Sequence, residues 1–327
     1  MEKDSEIAEA KNLIDDCLYE EAQSILEKYM VKYPENIECI DLLADLYFRL
    51  GDDKKALKFF KKSVKKEPNS NPDKYMTLAQ LLFNPNERRE AYNKAIFLYK
   101  KLIEEKSAIK MKNNEILTQI SDYKDSISSA LSSIVSLITT TDLCEEKDAE
   151  ETCENCIKEA LSLTPNSIEA LLQFSNLRIL RARDKEAAEA LEKILVVLKE
   201  ESEGGGDNLP ERDMLVNVSQ NFAEIGEYGK AIYVVNLILK QDDEDIESLY
   251  LLSIYEYHFK NYKSSKETLE KFKKLFKKDY DGSIINLEDV KDLEEKLAAI
   301  EKKSELKDEN NEEGEEDEDD LNEVEMK

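Results

Sequence analysis

Apolar positions along this chain recur at helical spacing in short runs, and the runs come in pairs. The clearest pair lies between Ile37 and Ser70, IECIDLLADLYFRLGDDKKALKFFKKSVKKEPNS. Leu43, Ala44 and Tyr47 share one face of a first helix, and Ala56 and Phe60 share one face of a second. Gly51 and Asp52 break the chain between them, and Pro68 ends the second helix. Pro34 ends the preceding pair, 34 residues earlier. Two antiparallel helices approach closely only where a small side chain faces the partner. A proline then stops the second helix so that the chain can turn back.

That period, with alanine at two crossing points and an aromatic between them, resembles the tetratricopeptide repeat (TPR). The template extends in both directions. Residues 3–36 form a degenerate first repeat, with Ala22, Leu26 and Pro34 where Ala56, Phe60 and Pro68 stand in the second. Ile7, Ala10, Leu13 and Ile14 line its first helix. A third repeat, 72–106, carries Tyr75, Leu78, Ala79 and Leu82, then the turn Asn84-Pro85-Asn86, and either Ala91 or Ala95 fits its second crossing. Residues 107–167 depart from the period. Two apolar helical runs are predicted at about 108–119 and 122–140, the second low in charge and hence buried on most sides, followed by a helix from Ala149 to Leu163. The period returns over 168–201, 212–245 and 246–279, with Gly226 matching Gly51. Gly204-Gly205-Gly206 with Asp207, Asn208 and Pro210 reads as an inter-repeat loop. A loop around Asp279–Ser283 leads to a helix over 286–303, striped with Leu287, Val290, Leu293, Leu297 and Ile300. A solenoid leaves its last apolar face open, so a helix with one polar side is the expected cap. The fold expected is therefore all-α: a TPR α-solenoid over 1–303, a right-handed superhelix of about seven helix pairs with a C-terminal capping helix.

Composition agrees. Among 327 residues there are 8 Gly and 6 Pro, and 37% of residues are charged, as in helical proteins. The net charge is −27, which argues against direct nucleic-acid binding and suits a cationic partner. From about residue 304 to 327 the chain is mostly acid with almost nothing apolar, so a disordered acidic tail is expected. Residues 301–327 hold 14 Asp and Glu against 4 Lys, about −10 of the total, leaving the rest acidic as well. No apolar run approaches the ~18 residues a membrane helix needs, and MEKDSEIAEA does not read as a signal peptide. The five scattered cysteines then read as reduced thiols in cytoplasm or nucleus.

Catalytic chemistry finds little footing. Cys153 and Cys156 lie one helical turn apart, but zinc needs about four ligands, and the single histidine, His258, lies about a hundred residues away. There is no phosphate-binding glycine loop and no nucleophile–base motif. The expectation is a non-enzyme with no cofactor or metal, monomeric and off the membrane. Two lysine clusters, Lys61-Lys62-Ser63-Val64-Lys65-Lys66 and the run from Lys271 to Lys278, read either as a nuclear localisation signal or as the solvated outer face of second helices.

The informative face is the one the first helices turn away from their partners, which lines the concave side of such solenoids. Glu38, Asp41 and Asp45 fall at i, i+3 and i+7 of one helix, with Phe48 beside them. The same register in other repeats gives Asp73, Glu169, Asn176, Asp213, Glu224, Glu247, Tyr250 and Tyr257. Acids there would steer and pair with a segment rich in Lys and Arg, and the aromatics could stack on Arg. A solvated helix face is the alternative at each single position. The Lys/Asn/Arg clamp by which some TPR proteins hold acidic chaperone tails is absent: Ile7, Lys11, Asp41 and Asp45 stand at its positions.

Residues 127–195 resemble a narrower family. A Ser/Ala/Leu-rich helix ends in Thr141-Asp142-Leu143-Cys144. It is followed by Ala149-Glu150-Glu151 with Cys153-Glu154, then Glu159-Ala160-Leu161 before Pro165, Glu169-Ala170-Leu171-Leu172-Gln173 and Asn176-Leu177-Arg178-Ile179. Lys74-Tyr75-Met76-Thr77-Leu78-Ala79-Gln80-Leu81 adds to the likeness. Together they look like the dedicated eukaryotic assembly chaperones of large-subunit ribosomal protein four, departing at Leu180-Arg181, where that family has Ser-Gln. The resemblance implies a chaperone that shields the long positive loop of that client and escorts it to pre-ribosomes. A general TPR scaffold, or a chaperone of histones or other basic proteins, are the alternatives.

Overall fold

The computed structural model describes residues 2–109, 113–205, 209–276 and 285–315, with side chains described from 5 to 302. Among them the regular elements are fifteen α-helices and one 3-10 turn. The chain divides into two compact units, Met1–Phe174 and Ser175–Lys327, with the boundary inside a helix.

The first unit holds α1 (Glu2–Asp15), α2 (Tyr19–Lys32), α3 (Ile37–Arg49), α4 (Asp53–Lys66), α5 (Asp73–Leu81), α6 (Pro85–Ser107), α7 (Asn114–Thr140) and α8 (Ala149–Leu163). Each packs on the next. Helix starts are set locally. The Asn36 side chain accepts the Cys39 N–H, Asp52 that of Lys55, and Asn84 those of Asn86 and Glu87, so donors with no intrahelical partner are satisfied. Pro85 sits at the first helical position, where its missing N–H costs nothing.

The small residues do what the repeat requires. Ala22, Ala44 and Ala56 are fully buried, and Leu26, Leu43, Tyr47 and Phe60 are buried as well. Ala91 and Ala95 are both buried, because the 23-residue α6 meets α5 and α7 along its length.

The irregular segment departs from the reading. α7 is a single helix of 27 residues, not two runs parted near Ser121. No Gly or Pro interrupts it, and several of its hydroxyls bond back to carbonyls one turn earlier: Thr118 to Asn114, Ser126 to Asp122 and Thr139 to Val135. Back-bonding satisfies those groups within the helix, whereas the buried Ser128 and Ser132 hydroxyls have no hydrogen-bond partner. From Ile127 to Ile138 α7 is buried on most sides, as its low charge suggests.

The second unit takes up α9 (Ile168–Ile179) from within, then α10 (Asp184–Glu203), α11 (Arg212–Glu224), α12 (Tyr228–Gln241), α13 (Ile246–His258), α14 (Tyr262–Leu275) and α15 (Leu287–Glu315). Serine replaces alanine at the α13–α14 crossing without leaving a polar group stranded. Ser265 and Ser253 are fully buried, and the Ser265 hydroxyl donates to the Ser253 carbonyl at 2.7 Å. α15 covers the last apolar face. Its Val290, Leu293 and Leu297 join Leu249, Tyr250, Leu269 and Phe272 in one core, flanked by ion pairs Lys266–Glu301 at 2.7 Å and Lys273–Glu294. The helix runs to Glu315, so 304–315, expected to be disordered, are helical. Glu, Leu and Lys, which favour helix, recur past 303 among weaker formers, and no proline interrupts them. The remaining tail, the glycine-loop residues 206–208, and residues 277–284, which hold the predicted loop and the end of the second lysine cluster, lie outside the described residues.

Five helix-to-helix turns share one construction. Cys17, Gly51, Ala182, Gly226 and Lys260 all have positive φ, between 53° and 79°. The next residue's N–H returns to a carbonyl five positions back: Leu18 to Leu13, Asp52 to Tyr47, Arg183 to Arg178, Glu227 to Phe222 and Asn261 to Glu256. This six-to-one bond with a left-handed residue is the Schellman closure of a helix C-terminus.

Candidate binding surface

Most of the acids predicted to face a partner already have one inside the protein. Glu38 pairs with Lys11 of α1 at 2.6 Å. Asp41 receives the Lys74 ammonium at 2.7 Å, and Lys74, from α5, is only 6% exposed. Asp41 also accepts the Ser63 hydroxyl. Asp45 binds Arg49 one turn on at 2.8 Å. The i, i+3, i+7 triad is thus neutralised by cations from α1, α5 and α3 itself. Phe48 is half-buried beside it. Asp73 is exposed and accepts the Tyr99 hydroxyl. Burial first, and that hydrogen bond second, push the Tyr99 phenol upward.

In the second unit, Arg212 gathers Asp213 at 3.0 Å, Asp245 and Glu247. The hydrogen bond to Asp245 raises the guanidinium further above its ordinary value. For Asp245, burial opposes the charge, but the bonds from Arg212 and the Ser248 N–H prevail and hold its carboxyl low. Asn176 accepts from the Asn221 amide, which also donates to Ser175 at 2.8 Å.

Tyr250 does not line a surface. It is 7% exposed and packs on Phe272 with ring centroids 5.5 Å apart. The cap helix converts that position from groove to core. Tyr257 is half-buried, edge-on to His258 at 5.4 Å and tilted against Tyr262 at 5.6 Å. Glu169 and Glu224 make neither hydrogen bond nor ion pair, and Glu224 is exposed.

Sequence reasoning missed the cations. Arg49 follows Asp45 by four residues, a legible helix pair. Lys11 and Lys74 come from neighbouring helices, and only the stacking of repeats brings them to α3.

Other chemistry is sparse. Cys39 and Cys156 are pushed up to about 11, chiefly by burial, which suppresses the reactive thiolate. Among the described residues no group of three or more His, Cys, Asp or Glu is placed to hold a metal ion. No described helix is long and apolar enough to cross a membrane.

The fold and this face define a helical-repeat protein of the tetratricopeptide type, with an acidic but largely self-paired first-helix face. A tetratricopeptide-repeat model matches residues 38–70. A Schizosaccharomyces pombe protein described as a probable assembly chaperone of rpl4 is 29% identical over 254 residues, spanning 76% of this chain and 72% of its own. An Emericella nidulans protein with the same description is 23% identical over 239 residues, 70% of this chain and 57% of that one. The solved structure of the assembly chaperone of RpL4 (Acl4), residues 1–338, superposes with a TM-score of 0.71 at 21% identity, covering 82% of this chain and all of that one. The Cut9–Hcn1 assembly of the APC/C gives 0.56 at 12% identity, covering 88% of this chain and 48% of that chain. At these identities the solved structures speak for the fold.

Proposed function

We propose that this protein is a non-catalytic, dedicated chaperone of ribosomal protein four of the large subunit. It holds that basic client as a monomer in cytoplasm and nucleus and hands it to pre-ribosomes. The observation that carries the reading is the 254-residue similarity to the fission-yeast protein described as a probable assembly chaperone of rpl4. The charge supports it independently: a net −27 favours encounter with a cationic protein and disfavours nucleic acid. Shielding a basic loop is a binding task, and stacked helix pairs supply extended surface for it. Internal pairing narrows where acids remain for the client, since Glu38, Asp41, Asp45 and Glu247 would each have to give up a cation. Glu169 and Glu224 would not.

The test is co-expression of rpl4 with this chain and affinity capture at moderate salt. The expected result is that rpl4 stays soluble and co-purifies in a defined ratio, and that Glu169→Lys with Glu224→Lys weakens capture. Capture of histones or of subunits of a larger assembly, with no rpl4, would refute the proposal.

A further inference from the structure

Four rings in the second unit form a continuous ladder drawn from three helices. Tyr228, at the start of α12, stacks on His258, at the end of α13, with centroids 4.9 Å apart and planes 12° from parallel. His258 meets the edge of Tyr257 at 5.4 Å and 85°, and Tyr257 leans on Tyr262 of α14 at 5.6 Å. His258 is exposed, and the three tyrosines are half-buried. Phe259, next in the turn, lies against Gly229, where an added Cβ would stand 3.1 Å from the ring. Glycine therefore lets the α13–α14 turn close onto α12.

An acid with no hydrogen bond or ion pair lies four residues before Tyr228 in the chain. Glu224, the last residue of α11, and Tyr228 both act on the Tyr255 hydroxyl, which burial chiefly holds above its ordinary value. The charges around the ladder are otherwise mostly spent: Lys230 on Glu192 and Glu227, and Lys296 on Asp292. Lys260 is exposed in the turn.

We infer that this ladder, together with Glu224, is a binding site for an arginine side chain of the partner protein. This deepens the proposed function and rests on its basic client. A guanidinium is planar and weakly hydrated. It stacks on an aromatic face while its N–H groups reach a carboxylate, whereas a lysine ammonium is a strongly hydrated point charge. Rings fixed before binding cost little ordering entropy. The site therefore selects Arg over Lys, which an acidic face alone does not.

The experiment titrates the full chain with a 15-residue Gly/Arg peptide and with the same peptide carrying Lys for Arg, at physiological salt. The Arg peptide should bind roughly 2- to 30-fold more tightly, the range that ring–cation contacts span. Tyr228→Leu with His258→Leu keeps apolar bulk and should abolish the preference. Tyr228→Phe with His258→Phe should keep it. If the leucine pair fails to fold, His258→Leu alone gives the readout, since that ring is exposed. Equal affinities, no binding of either peptide, or a preference surviving in the leucine variant would overturn the inference. Capture of rpl4 by the same preparations separates the two claims: rpl4 retained with no Arg preference rejects only the ladder, whereas rpl4 lost from the wild-type chain rejects the client.

Discussion

Reversing Asp41 to lysine is the variant that the sequence recommends for testing partner binding, and the structure makes it a stability variant instead. Its carboxylate is the counterion of Lys74, an ammonium 6% exposed. Leaving a buried charge unpaired costs about 3–5 kcal/mol. Because Asp41 is itself 30% exposed, water replaces part of that loss, and Asp41→Lys is expected to cost about 2–3 kcal/mol by the same principle. Glu169→Lys breaks no pair and should stay within about 0.5 kcal/mol of the wild type. Urea unfolding of the two variants checks this, and an Asp41→Lys midpoint equal to that of Glu169→Lys would show that Lys74 finds water without its partner. The acids of the candidate face were legible because a helix repeats its faces every three to four residues. Their pairing was not, because Lys11 and Lys74 are remote in sequence and approach only through packing. Tyr250 misled for the same reason: its register places it beside Tyr257, but Val290 and Leu293 of α15 cover it.

At the scale of elements, the turn is the unit that repeats most faithfully. Gly51 and Gly226 announced two turns. Cys17, Ala182 and Lys260 make the same left-handed closure with side chains that resist it, so those turns carried no glycine signal to read. A left-handed L-residue costs about 1–2 kcal/mol, and glycine returns part of that through its freer unfolded chain. Ala182→Gly should therefore stabilise by about 0.5–1 kcal/mol, and Gly226→Ala should destabilise by about 1 kcal/mol. An added Cβ at Gly226 meets nothing within 4 Å, so the second effect is conformational strain without a clash. Thermal melting would reject this account if both variants melt with the wild type. The helices between the turns were legible wherever small and large apolar residues kept the 34-residue period. α7 was read as two apolar runs, about 108–119 and 122–140, but no Gly or Pro separates them within 114–140 and the helix runs through. α15 outran its apolar stripe because a stripe predicts where a helix is buried, not where it ends.

For the whole molecule, the deciding quantity is charge that acts at a distance. The net −27 survives the internal pairing, since ion pairs redistribute charge without changing its sum. Acids spent on Lys11, Lys74, Arg49 and Arg212 contribute little contact energy to a client, yet the excess of carboxylates still sets the field that a cationic protein meets on approach. Such steering raises association rates by roughly 10- to 1,000-fold and decays over a Debye length of about 8 Å at physiological salt. The association rate for the proposed client, rpl4, measured by stopped flow, should therefore fall roughly tenfold or more between 50 and 500 mM salt, while dissociation changes little if stacking and apolar contacts hold the complex. Removing residues 316–327 takes away seven acids and one lysine, a minor part of the excess, so the truncated chain should keep most of its rate and its salt dependence. A larger loss on truncation than on adding salt would make the tail a contact surface in its own right. An association rate flat across that salt range would mean that the acidity of this protein plays no part in finding its client, and that recognition rests on the rings and apolar faces alone.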